Sequence, residues 1–90
     1  MSQADSMWKM VLEDLQVSLS PATFTSWIKP LRLGEVTTTE SGRIIADIYC
    51  PSSFHRGIIE QRFYSQIQES LNRVSKTSSE LRFTIIPTNT

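Results

Sequence analysis

The chain has one cysteine, Cys50, and one histidine, His55, so neither a disulfide within one molecule nor a cysteine–histidine metal set can be built from it. Its three glycines, Gly34, Gly42 and Gly57, stand apart, and no phosphate-cradling G-x4-G-K-S/T run occurs. Nine basic residues balance nine acidic ones, which leaves no net field to gather polyanions; any contact with DNA must be local and weak. No apolar run approaches the length of a membrane span or signal peptide. With an unpaired cysteine, this points to a reducing cytoplasm and no membrane partner. Cys50 falls in a strand pattern, where a cysteine is an inert small hydrophobe. No catalytic residue, metal ligand or cofactor is assigned, and the chain reads as a non-enzymatic domain.

What the sequence does hold is an aromatic and leucine pattern running from Trp8 to Leu31. Trp8, Leu12, Leu15 and Leu19 recur at intervals of four, three and four, the one-sided stripe of an amphipathic helix. Asp5 or Ser6 is placed to cap its start. Met7, Met10 and Val11 widen the stripe beyond what a short helix at the edge of a small domain needs to bury. Ser20-Pro21 then reads as an N-cap followed by proline at the first helical position. Phe24, Trp27 and Ile28 share one side of this second helix, and Pro30 ends it after about two turns.

From Leu31 the period changes to two. A threonine-rich strand over about Leu33 to Thr38 leads through a Glu40-Ser41-Gly42 turn into a strand where Ile44, Ala46, Ile48 and Cys50 alternate with Arg43, Ile45, Asp47 and Tyr49. Pro51 stops the hairpin, and Ser52 or Ser53 can cap a long third helix carrying Ile59, Phe63, Ile67, Leu71 and Val74 at helical spacing. Ser75 to Ser79 reads as a polar turn, and Leu81, Phe83 and Ile85 alternate as a last strand. The order helix-helix-strand-strand-helix-strand predicts an α+β domain, a three-stranded sheet packed against helices. Residues 1–86 form that domain, and 87–90 begin a linker.

Taken together, W8…L12…L15…L19-S20…F24…W27-I28-K29-P30-L31, P51-S52-S53-F54, Tyr64, Ile67 and the closing L81-R82-F83-T84-I85 resemble the N-terminal domain of the bacterial chromosomal replication initiator protein DnaA. The resemblance implies a KH-like fold and a protein-interaction domain that self-associates and docks the replicative helicase, its loader or a regulator of initiation at the origin. It implies a self-association face of Met7, Trp8 and Val11, and a docking face of Thr23, Ser26, Trp27, Phe54 and His55. Some relatives carry an acidic residue where this chain has Thr23, so direct helicase contact loses one charge. The ATPase module and the DNA-reading helix-turn-helix implied by the resemblance would lie outside this chain.

The residues keep other readings open. Trp8 and Trp27 both fit a core, Phe54 is either a staple onto the hairpin or an exposed aromatic, and His55 reads as a solvated residue. The KH-like comparison suggests an alternative function, weak binding of single-stranded nucleic acid through Phe54, Arg56 and Arg62. That fold grips the backbone with a G-x-x-G loop, however, and no two glycines here have that spacing.

Overall fold

In the computed structural model, which describes residues 3–85, the first helix, α1 (Gln3–Ser18), begins earlier than the sequence predicts. Asp5 and Ser6 therefore lie within its opening turns instead of capping it. Asp5 sits in the first turn, where a carboxylate complements the positive end of the helix dipole. The buried side of α1 is rotated from the expected stripe. Trp8, Val11 and Leu15 are buried, Val11 completely, whereas Leu12 and Leu19 are only half-buried. Spacings of three and four fit Trp8, Val11 and Leu15 as well as they fit the leucines, and the choice falls to the neighbours. The helix lies mainly on the last helix and also meets the first strand, so the side between these two supports takes the core.

The second helix starts as predicted. Ser20 is extended (φ −64°, ψ 152°), its hydroxyl accepts from Thr23 N–H at 3.3 Å, and Pro21 occupies the first turn. After α2 (Pro21–Thr23), the chain continues through Phe24–Ile28 in the wider π winding, with Lys29 N–H reaching five residues back to Phe24 O at 2.9 Å. Phe24 and Ile28, four apart, share one face of this helix and are both buried.

Strands β1 (Arg32–Thr38) and β2 (Ile44–Cys50) pair antiparallel, and β3 (Ser79–Ile85) lies parallel to β2 on its other side, giving the order β1-β2-β3. Such a parallel pair needs a long crossover, and the third helix supplies it. One face of β2, Ile44, Ala46, Ile48 and Cys50, is buried, and the register flanks Ile48 with Leu33 and Phe83, and Ala46 with Val36 and Leu81. Leu33 and Val36 are three apart, so a plain strand would send them to opposite faces. A bulge between them sets Gly34 and Glu35 against Asp47 alone and returns both to the core. At Gly42, φ is +88°, a turn conformation glycine adopts without strain.

The third helix comprises α3 (Ser53–Ile58), a π turn (Ile59–Phe63) and α4 (Tyr64–Ser75). Ser52 is its cap, accepting His55 N–H at 3.1 Å. Ile59, Phe63, Ile67 and Leu71 are all buried at strict four-residue spacing. On an unbroken α-helix that spacing drifts by about 40° per step; the π turn absorbs part of the drift and keeps the row facing the sheet. Lys76 closes the helix in the left-handed region (φ 61°), its N–H on Asn72 O at 2.8 Å. Ser79, expected in the turn, belongs to β3 and is buried. Its hydroxyl donates to Asn72 Oδ1 (2.6 Å), and its carbonyl accepts from Gln68 Nε2 (2.7 Å). Arg73 of α4 pairs with Asp14 of α1. The whole is the expected α+β, KH-like arrangement. The assignment of 87–90 to a linker lies outside the described residues.

Candidate docking face

The end of the second helix and the start of α3 bring three rings together. Ser52 starts α3, which puts Phe54 at the second helical position and His55 at the third. Phe54 points outward and is 73% exposed. Its ring lies 6.3 Å from the half-buried indole of Trp27, at 47°. His55 turns the other way. It is buried, its ring 5.0 Å from Trp27, and its Nε2 stands 2.7 Å from Trp27 O. The solvated reading of His55 is therefore corrected: the Ser52 cap fixes the backbone so that the imidazole faces the second helix.

Ser26 is exposed beside Trp27, and Thr23 sits half-buried one turn earlier. The Thr23 hydroxyl accepts from Ser20 Oγ at 2.9 Å, which ties it to the helix cap. The patch is thus a small apolar projection, Phe54 against Trp27, with hydroxyls along one side. It carries no charge of its own. Arg56 pairs with Glu60 one turn on (3.6 Å, both side chains well exposed), and Arg62 is exposed farther along the helix. The three residues suggested for nucleic acid are thus one bare aromatic, one arginine shared with a carboxylate and one solvated arginine.

The residues suggested for self-association do not share a surface. Val11 is fully buried and Trp8 is 8% exposed, so both are core residues of the single molecule; of the three, only Met7 is half-buried. This corrects the placement of Val11 and Trp8, and the reason is the rotated stripe of α1. The outward side instead carries Met10, 54% exposed, and Val17, 88% exposed. Met7 and Met10 line a shallow groove with Val74 and Ser75 of α4, and its rim continues through Glu13, Asp14, Arg73 and Lys76. The sequence holds a signal for this side: Ser6, Met10, Glu13 and Val17 repeat the same four, three, four spacing on the opposite side of the helix.

Burial pushes the Cys50 thiol up to about 11, with Arg56 drawing it down and Glu60 adding to the rise. The Asp14 carboxyl is held below the usual carboxylate range, first by the Ser70 hydroxyl and then by the Arg73 guanidinium. Ser70 Oγ makes no hydrogen bond of ordinary geometry, so its influence is that of a nearby O–H dipole. Among the described residues, no three of histidine, cysteine, aspartate and glutamate lie close enough to hold a metal ion, and no helix is long and apolar enough to cross a membrane.

Comparison with known proteins agrees with this architecture. Over 83 residues the chain is 32% identical to the chromosomal replication initiator protein DnaA of Chromobacterium violaceum and 31% identical to that of a Synechococcus strain, covering 91% and 92% of this chain. It spans only 16% and 17% of those relatives' lengths. In fold it is similar to part of Aquifex aeolicus Era, solved bound to GDP.AlF4-, with a TM-score of 0.63 over 97% of this chain and 33% of that one, at 13% identity. The family model of the DnaA N-terminal domain matches residues 5–73, and the chain belongs to that family.

Proposed function

We propose that this domain works in the initiation of chromosomal replication as an interaction module of a DnaA-type initiator in the cytoplasm, docking the replicative helicase, its loader or a regulator through Phe54 and Trp27. The observation that carries the reading is the exposure of Phe54. A phenylalanine left 73% exposed against a half-buried tryptophan gains little for folding, yet it has the makeup of an interface anchor. Thr23 and Ser26 supply a polar rim. The neutral Thr23 favours a loader or regulator as the main partner over direct contact with the helicase.

The test is capture of the source organism's helicase and helicase loader on the immobilised domain. Phe54→Ala should leave the melting temperature nearly unchanged and cost about 1 to 3 kcal/mol in binding. Thr23→Glu should strengthen helicase binding if charge complementarity is what the threonine lacks. Retained binding of every partner by Phe54→Ala would remove the assignment. Self-association is the second part of the reading, and it is supported by the Met7, Met10 and Val74 groove in place of Val11. Single-stranded DNA is at most a weak, salt-sensitive ligand of Phe54 and Arg62, since the chain has no net charge.

A further inference from the structure

The second helix runs short of backbone donors where it ends. Lys29 N–H is spent on Phe24 O (2.9 Å), Pro30 has no N–H, and Leu31 N–H bonds to Ile28 O (3.0 Å). The carbonyl of Trp27 has therefore lost the donor four residues on that a continuing helix would give it. His55, twenty-eight residues away, stands in: its Nε2 lies 2.7 Å from Trp27 O, the residue is only 8% exposed, and its ring packs 5.0 Å from the indole of the same residue. The backbone that carries the imidazole is held as well, because Ser52 Oγ accepts the His55 backbone N–H at 3.1 Å.

We infer that His55 is a positioning residue, a latch whose Nε2–H donates to Trp27 O and fixes the Trp27 indole and the adjoining Phe54 ring in one orientation. A carbonyl only accepts, so the nitrogen facing it must carry the proton, and the tautomer protonated only on Nδ1 is excluded. By joining the helix that carries Trp27 to the one that carries Phe54, the latch sets the geometry of the aromatic pair before any partner arrives. Such preorganisation lowers the ordering cost of binding. The inference deepens the docking reading and rests on it for its functional meaning; the latch is a property of the free domain.

Long-range proton–nitrogen correlation of the imidazole in the unmodified protein should show a slowly exchanging proton on Nε2 with a coupling to the Trp27 carbonyl carbon. A proton confined to Nδ1 overturns the latch. The second measurement follows Trp27 fluorescence in a Trp8→Phe background, where it is the only indole; Trp8 Nε1 has no hydrogen-bond partner, so that substitution removes no hydrogen bond. His55→Ala should red-shift the emission and speed local depolarisation, whereas His55→Gln, whose amide N–H reaches the same carbonyl, should restore both. Unchanged emission in His55→Ala, or a folded His55→Gln no better than alanine, overturns the proposal.

In the capture assay His55→Ala should weaken partner binding about tenfold and His55→Gln no more than about twofold. Binding that depends on Phe54 but is indifferent to His55→Ala overturns the positioning role. If capture survives Phe54→Ala, the docking reading fails by its own test, and the latch is judged by the nuclear magnetic resonance and fluorescence results.

Discussion

Cys50 shows how one side chain reports on a whole layer. It ends β2 on the buried face, fully covered, and burial raises its thiol to about 11. A group that holds its proton more tightly when folded than when unfolded stabilises the fold at pH values below the unfolded value, near 9, and loses that contribution as pH rises through the folded one. Stability should therefore decline across about pH 9 to 11, and the same decline should be missing from Cys50→Ala; urea titrations at stepped pH measure both. At pH 8 the folded thiol should react with a thiol reagent far more slowly than the denatured chain. Rapid labelling of the native protein would place Cys50 on the open face of the sheet. The alternation of Ile44, Ala46, Ile48 and Cys50 made this side legible from the sequence, because a period of two has only two phases. Helical residues are harder to assign. Trp8, Val11, Leu12 and Leu15 admit two overlapping stripes, and only the position of α4 and β1 selects the one containing Val11. His55 was illegible for the same reason, since its acceptor is a backbone carbonyl twenty-eight residues away.

At the scale of elements, the strands and helices followed from local pattern, while their irregularities did not. Neither π turn leaves a compositional mark, and the bulge in β1 shows only as Leu33 and Val36 standing three apart. That bulge has a consequence on the opposite face. A Cβ built on Gly34 would lie 2.4 Å from Cε2 and 2.8 Å from Cζ of Tyr49, so the glycine is the space into which the tyrosine ring folds. Gly34→Ala should destabilise the domain by about 1 to 2 kcal/mol by driving the ring off the sheet. Where Tyr49 has already been truncated to alanine, the same change should be neutral or stabilising by up to about 1 kcal/mol, because alanine loses less backbone entropy than glycine in a strand. The double-mutant cycle separates the two effects. Additive costs would mean that Gly34 is required for its backbone conformation, and the account based on Tyr49 would fall. The parallel placement of β3 against β2 also escaped the linear pattern: alternation identifies a strand, and partner and direction come from the crossover helix.

For the molecule as a whole, the self-association proposed above would fall on the groove between α1 and α4. A chain with no net charge has no long-range repulsion to keep copies apart, and beside the Asp14–Arg73 pair the groove rim carries Glu13 and Lys76, so both signs are present for a self-complementary contact. The apolar part of that surface is Met10 with the half-buried Met7 and Val74. Val11 is the internal control. It lies one residue from Met10 in sequence but on the inner side of α1, so its truncation should act on folding alone. Met10→Glu should abolish concentration-dependent association in sedimentation velocity while leaving Tm within a degree or two, since a change at an exposed site moves stability by no more than about 0.5 kcal/mol. Val11→Ala should cost about 2 kcal/mol of stability through lost burial and the cavity left behind. Once its folded fraction is accounted for, it should associate like the parent domain. If Met10→Glu still associates, while Val11→Ala stays monomeric at full stability, the association surface lies on the Val11 side of the helix and α1 must rotate or detach to present it.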